Sequence, residues 1–447
     1  MSSSGSDKKH GSKYVSWGQH MRSDAQMLRL ASRNDSLPLP DEAAMPVLPY
    51  GQGRSYGDSC MNNGGALISN ASLNHFIEFD YQTGRLSCEA GVTLAEILDL
   101  VVPQGWFLPV TPGTRFVSIG GAIANDVHGK NHHRAGTFGC HVLSFELLRS
   151  DGTRMQCSAD ENPDWFAATI GGLGLTGMIT RAELQLKAVM NPYLQEETIR
   201  FNNVDEFFAI NSESEDQFEY TVAWIDCVAK GDSLGRGAYY RANHHGSASP
   251  HKQPAAPKGN FSFPFTPPLS LVNKLSLKAF NEIYYRLQPE RRNRTVHYQP
   301  FFYPLDSIQH WNRMYGPSGM LQYQCVVPHE EGQQVMKDLL KTIADSGDGS
   351  FLVVLKTFGD VASPGLLSFP QPGVTLALDF PNKPAVLPLL NRLDDITREA
   401  GGRLYPAKDA RMSAADFQAG YPQWQAFKEF IDPRFSSGFW RRVTATV

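Results

Sequence analysis

An α+β fold in two parts is what this sequence of 447 residues predicts, and three observations carry the prediction. From Pro49 to Val189 short β-like runs alternate with glycine-rich turns. At Asn191 the texture changes. Between Leu321 and Ala400 a strand followed by an amphipathic helix occurs twice, the pattern of an antiparallel sheet covered by helices.

Composition narrows the function. With 41 Lys+Arg against 45 Asp+Glu the net charge is -4, and 41% of residues are hydrophobic against 19% charged. That balance excludes a disordered or fibrous chain. It also argues against nucleic acid as a partner, because phosphate binding needs a concentrated excess of Lys and Arg. Six cysteines (Cys60, Cys88, Cys140, Cys157, Cys227, Cys325) lie far apart without CxxC spacing, so a reducing compartment and no disulfide framework are expected. Met1 to Tyr14 contains no apolar h-region, and no apolar run reaches about 18 residues. The expectation is a cytoplasmic protein, or one peripheral to the inner membrane, with neither signal peptide nor transmembrane helix.

The elements follow in order. Residues before Pro49 read as a polar arm. Ala66–Ser69, Phe76–Asp80 and Arg85–Glu89 read as strands, the last two joined by the turn Tyr81-Gln82-Thr83-Gly84. Thr93 and Glu96 form a capping box ahead of Leu94, Ile97, Leu98 and Val101, and Gly105 stands where the helix should stop. Val142–Leu148 and Arg154–Cys157 flank Asp151-Gly152, a hairpin signal. Ile179–Leu186 reads as a strand. Residues 230–268, rich in Gly, Ser, Pro and His, read as a long lid loop over a binding site. Leu321–Val327, Phe351–Lys356 and Val374–Phe380 read as strands, and Glu331–Ala344 and Leu387–Ala400 as helices.

Three glycine-rich stretches carry the chemistry. In Gly51-Gln52-Gly53-Arg54-Ser55-Tyr56-Gly57 successive glycines let a ligand approach the backbone, and the exposed N–H groups form an anion nest. Ser118 is an N-cap candidate, with Gly120 and Gly121 just inside the helix where a diphosphate or flat ring can sit. Gly172-Leu-Gly174-Leu-Thr-Gly177 matches GxGxxG, but Met178 to Leu186 alternates like a strand rather than a helix, so the dinucleotide fingerprint is rejected. The reading is a loop between two strands that touches a cofactor. His128, His132 and His133 have no Cys or carboxylate nearby to complete a ligand set, and Gly129 and Asn131 interrupt any helix, so no metal is expected.

The motifs Gly51 to Asp58, Pro112 to Arg115, Gly120 to Ala124, Val127 to His133, Leu175-Thr-Gly177 and Tyr405-Pro-Ala-Lys-Asp-Ala-Arg411 together resemble the p-cresol methylhydroxylase and vanillyl-alcohol oxidase superfamily of FAD proteins. More narrowly, the chain is similar to the decaprenylphosphoryl-β-D-ribose oxidases, from Trp17-Gly18 nearly to the C-terminus. The resemblance implies an FAD domain from residues 10–190 and 403–447, and a central antiparallel substrate-binding domain, 191–402. It implies cofactor contacts from Gly51 to Gly57, Gly113, Thr114, Ser118, Gly120, Gly121, Asn125, Val127, His128, Gly129, Leu173, Gly174, Ile179 and Tyr405.

Lys408, with Tyr56 and His128, is the implied catalytic group; Gln324, Gln322, Lys130, Lys356, Trp224 and Ala377 are the implied substrate contacts. Arg54-Ser55-Tyr56 stands where many relatives carry a flavin-linking His, so the FAD is expected to be non-covalent. Ala377 replaces a Cys of the mycobacterial members. The activity implied is hydride transfer from the 2′-carbinol of a polyprenyl-phosphoryl ribose to FAD, the first half of a 2′-epimerisation, with a separate NADH-dependent keto-sugar reductase as partner. The alternative is a sugar-lactone or alditol oxidase of the same superfamily.

Overall fold

The computed structural model describes residues 14–42, 44–246 and 261–445. Helices and strands mix in an α+β fold built on three sheets. A parallel three-stranded sheet has Ala66–Ser69 between Gln26–Arg29 and Val47–Tyr50. A five-stranded antiparallel sheet runs in the order Arg154–Ser158, Val142–Leu148, Met178–Gln185, Arg85–Glu89, Phe76–Asp80. An eight-stranded antiparallel sheet runs Arg291–His297, Tyr193–Phe201, Gly237–His244, Tyr220–Ile225, Val353–Phe358, Gly373–Pro381, Met320–Val327, Arg403–Leu404.

Local signals produce these elements. Thr93 accepts from the Glu96 N–H while the Glu96 carboxylate takes the Thr93 N–H, closing the capping box of the helix Leu94–Val101. Gly105, at φ +82°, ends the following turn as only a left-handed residue can. Gly152, at φ +86°, turns the hairpin between Val142–Leu148 and Arg154–Ser158.

The large sheet has two different faces, because side chains alternate along a strand. Tyr323, Cys325, Leu355, Leu376 and Leu378 point into a core closed by the helices Val204–Ser214, His329–Ser346 and Leu387–Glu399. The other face carries Gln322, Gln324, Lys356, Thr375, Ala377 and Asp379, and looks toward the two smaller sheets across a cavity. The edge strand Arg403–Leu404 pairs with Val326 and Cys325, and Tyr405 donates its N–H to the Gln324 carbonyl at 3.0 Å. This pairing delivers the segment 405–411 to the rim of the polar face.

Three expectations differ from the structure. The polar arm contributes a strand, Gln26–Arg29, because Ala66–Ser69 offers it a parallel partner; its four residues Gln-Met-Leu-Arg carry no period-2 alternation that would announce it. The lid loop expected over 230–268 is interrupted by the strand Gly237–His244, whose Tyr239 and Ala242 are buried between two neighbouring strands; 247–260 lie outside the described residues. The loop Gly172 to Gly177 follows a helix, Pro163–Thr169, rather than a strand.

Candidate active site

The cavity between the sheets holds about 850 Å³. Its upper wall is backbone. Gly51 lies against Ser118, where a Cβ would come 2.6 Å from the hydroxyl oxygen. Gly53 stands at φ +59°, and a Cβ there would meet the Tyr50 hydroxyl at 2.1 Å. Among the described residues the N–H groups of Gln52, Gly53, Arg54 and Ser55 have no carbonyl partner, so they are free to hold an anion. Ser118 caps the helix Ile119–Ala124, accepting from the Gly121 N–H, and Gly113 has open space where its side chain would be. The Ser16 and Ser59 hydroxyls, Arg54 Nε and Asn70 Oδ1, and Gln322 Oε1 on the facing sheet, are buried at this cavity without a partner among the described residues. Buried polar atoms left unpaired in such number await a polar ligand, and a glycine cradle with orphaned donors fits the diphosphate and sugar of FAD.

Every residue expected to contact the cofactor lines this cavity except Gly57. Gly57 is a packing glycine: a Cβ would fall 1.8 Å from the Asp409 carbonyl oxygen, so only Gly lets this loop touch the segment 405–411. Arg442, on the C-terminal helix Gly438–Val443, clamps that junction by donating to Asp58 at 2.7 Å and to Asp409 at 3.0 Å.

Lys408 stands with Nζ 4.1 Å from the centre of the buried Tyr56 ring. Burial pulls its ammonium down to about 8, against the opposing pull of Asp379. Asp379 is pushed up to about 7 by burial, while Lys408 and a 2.8 Å hydrogen bond from the Gln322 amide hold it lower than burial alone would. Lys408 makes no ion pair with Asp409 or Glu399.

Deeper in, His128 is enclosed by the rings of Phe358, Phe369 and Tyr405 at 4.8, 5.9 and 5.5 Å. Lys356 Nζ lies 2.9 Å from His128 Nδ1 and donates to the Gly129 carbonyl at 2.7 Å. With Nδ1 accepting from Lys356, the neutral ring carries its proton on Nε2, which faces the Gln324 amide at 3.0 Å and requires its oxygen end. Burial, then Lys356, His132 and Lys408, hold His128 well below the ordinary imidazole range. Burial, then Lys130 and Lys408, hold Lys356 well below the ordinary lysine range. Lys130 donates to the Phe302 carbonyl at 3.2 Å and is pulled down to about 8 by burial, with Glu196 opposing. Three lysines and a neutral histidine thus converge on one wall, a site built for anionic ligands.

Ala377 lies on this wall between Gln324 and Val354. Trp224 does not reach the cavity: its indole donates to the Phe351 carbonyl at 2.9 Å and packs edge-on against Tyr284, 4.6 Å away. The helix Lys274–Leu287 covers that end of the sheet face, which period-2 reasoning along Tyr220–Ile225 does not reveal. Asp379 and Thr375 are the site residues the sequence reading missed; both share the strand face of Ala377, two positions away on either side.

Known proteins resemble the chain in sequence. The model of a family described as an FAD binding domain matches residues 35–158. Decaprenylphosphoryl-β-D-ribose oxidase of Mycolicibacterium smegmatis is 39% identical over 417 residues, covering 90% of each chain. An uncharacterized protein of Streptomyces coelicolor is 35% identical over 374 residues, 79% of this chain and all of its own. Cytokinin dehydrogenase 7 of Oryza sativa is 27% identical over 177 residues, 37% of this chain and 32% of its own.

Proposed function

The chain belongs to the decaprenylphosphoryl-β-D-ribose oxidase family and is an FAD-dependent oxidoreductase; from that premise we propose that it oxidises the 2′-carbinol of a polyprenyl-phosphoryl-β-D-ribose to the 2′-keto sugar. The observation that carries the reading is the convergence of Lys130, Lys356 and Lys408 beside a glycine cradle in one cavity; burial disfavours their charge, and a bound anion restores it. A sugar carrying a phosphodiester has the charge such lysines recognise; a neutral lactone or alditol does not.

Bound FAD supplies the acceptor for the hydride. The N–H groups of Gln52 to Ser55 would hold its diphosphate, whereas the helix start at Ser118 spends its own N–H groups on the Val92 and Ala90 carbonyls and the Ser118 hydroxyl and serves as packing surface. Lys130 and Lys356 take the substrate phosphate, and Gln322, Gln324 and Tyr56 orient the ribose hydroxyls. Lys408, with its ammonium lowered to about 8, provides a positive charge next to the reacting centre or accepts the hydroxyl proton. A separate NADH-dependent reductase then returns the keto sugar as its 2′-epimer.

The layout behind this chemistry is two domains, 10–190 with 403–447 holding FAD and 191–402 holding substrate. It is supported by the concentration of glycine loops in the first and of the polar sheet face in the second. The FAD is non-covalent, since neither a His nor a Cys occupies Arg54 to Tyr56, Asn125 or Leu173. Acid precipitation should leave the flavin in the supernatant, whereas a flavinylated peptide would reverse this.

Anaerobic mixing with lipid-phosphoryl ribose, free ribose, alditols and sugar lactones tests the substrate. Bleaching of the flavin by the phosphoryl sugar alone is expected. Equal bleaching by a free lactone would replace the reading with that of a soluble sugar oxidase.

A further inference from the structure

The helix Lys274–Leu287 is apolar on both faces, with Leu277 buried on the inner one. Its inward positions also include Asn281, fully buried with its amide donating to Asp226 at 2.9 Å. Its outward stripe is Leu275, Ala279, Ile283 and Leu287, and the three large members are 82%, 59% and 73% exposed. A helix covering a core in water keeps its outer face polar. The chain leading into it adds exposed Phe261, Phe265, Leu269 and Leu271. These side chains form a run within one segment, rather than the single scattered apolar residues normal on a surface.

The same segment is cationic. Between Phe261 and Arg294 the sequence places Lys274, Lys278, Arg286, Arg291, Arg292 and Arg294 against Glu282 and Glu290, in a chain of net charge -4. Arg286 pairs with Glu282, Arg291 with Glu197 and Arg294 with Glu196. Among the described residues Lys278 and Arg292 have no ion-pair partner, and both are exposed. An apolar stripe with the unpaired Lys278 on the same helix, within a segment of net positive charge, complements the surface of an anionic bilayer, which offers hydrocarbon and phosphate together.

The patch is continuous with the cavity. Phe261 and Ser262 pair with Ile308 and Gln309, which line it. From the underside of the helix, Leu277 packs in one cluster with Tyr56 and Trp311. One layer of chain therefore has its inner surface on the cavity and its outer surface on the apolar stripe.

We propose that the face formed by Phe261–Arg294 docks the protein on an anionic phospholipid bilayer, with the cavity opening beside the lipid surface. The proposal rests on the lipid-linked-substrate reading only for what the docking is for. No helix among the described residues is long and apolar enough to cross a membrane, so attachment through this face is interfacial.

Holoenzyme is to be sedimented with phosphatidylglycerol-containing vesicles and with phosphatidylcholine alone. Binding to the first, weakened by salt, is expected. The double variant Leu275→Glu/Ile283→Glu should lose at least about tenfold in vesicle affinity. Lys278→Glu/Arg292→Glu should lose about 25-fold or more, from about fivefold for each of the two positive charges removed. Both variants should keep their flavin and bleach with a water-soluble short-prenyl phosphoryl ribose within about twofold of wild type, as surface substitutions do.

Wild type that ignores the vesicles overturns the proposal, as does unchanged binding in both variants. A dimer or a stable protein complex that Leu275→Glu/Ile283→Glu dissolves also overturns it, since a protein then covers the stripe. If vesicle binding follows the variants while no phosphoryl ribose bleaches the flavin, the docking face stands and the substrate reading falls.

Discussion

Lys356 Nζ lies 2.9 Å from His128 Nδ1, and at that separation the two groups cannot both carry charge. The pair is locked by the Gly129 carbonyl, which accepts from Lys356 at 2.7 Å. Lys356→Met removes the nearest cation holding His128 low, so the imidazole should move up toward its ordinary range. The rate of flavin reduction should then fall with acid more steeply in the variant than in wild type, where Asp379, pushed up to about 7, already titrates, because His128 also begins to protonate within the range of an ordinary histidine. A stopped-flow pH series checks this; a profile no steeper than that of wild type would mean burial alone keeps the ring neutral.

Lys408→Ala should retain FAD, because the cradle from Gly51 to Gly121 supplies the cofactor contacts, and should slow flavin reduction by about 10² to 10³. A rate within a few-fold of wild type would remove Lys408 from the reaction. A defect independent of pH favours charge stabilisation; recovery as pH rises favours proton abstraction, since hydroxide replaces a base but not a fixed cation.

Asp379→Asn tests the same lysine from the other side. Burial lowers the Lys408 ammonium and Asp379 partly restores it, so the neutral amide should send it further down. The alkaline limb of the reduction profile is expected to move about one pH unit lower. If Lys408 works as a cation, the variant is slower at neutral pH; if as a base, it is faster there. An unmoved limb would mean the two groups do not sense each other.

Ala377→Cys should place a reactive thiol on the cavity wall between Gln324 and Val354. Wild type has Cys60 on the cavity, but burial pushes that thiol up to about 12, leaving it inert at neutral pH. A nitroaromatic inhibitor that alkylates the pocket cysteine of relatives should therefore form an adduct with the variant and not with wild type. Mass spectrometry of the intact proteins separates the two; a stoichiometric adduct on wild type would show that another pocket residue reacts.

Much of this was legible because local rules dominate. Thr93, Glu96 and Gly105 fix one helix through capping alone, and Ser118 does the same for another. The site segments Gly51 to Gly57, Gly113 to Gly129 and Tyr405 to Lys408 are marked by glycine or by resemblance to a family motif. What escaped depended on long-range partners. Gly237–His244 looks like a loop beside its Gly- and Ser-rich continuation, and becomes a strand because Tyr193–Phe201 and Tyr220–Ile225 pair with it on both sides. Trp224 was misplaced because nothing within Tyr220–Ile225 announces that Lys274–Leu287 covers its end of the sheet. Asp379 was missed although its phase with Ala377 was visible, since a carboxylate next to Phe380 reads as a strand end until Gln322 and Lys408 are brought opposite it.

The clamp of Arg442 on Asp58 and Asp409 joins the first glycine loop to residues made much later in synthesis. At about 5 to 20 residues per second, translation separates Asp58 from Arg442 by about 20 to 80 s. For most of that interval the nascent chain has its anion nest but not Lys408, and for all of it lacks the Arg442 clamp that braces the nest. A polypeptide stopped short of Gly438–Val443 would therefore leave the ribosome with the first glycine loop unbraced.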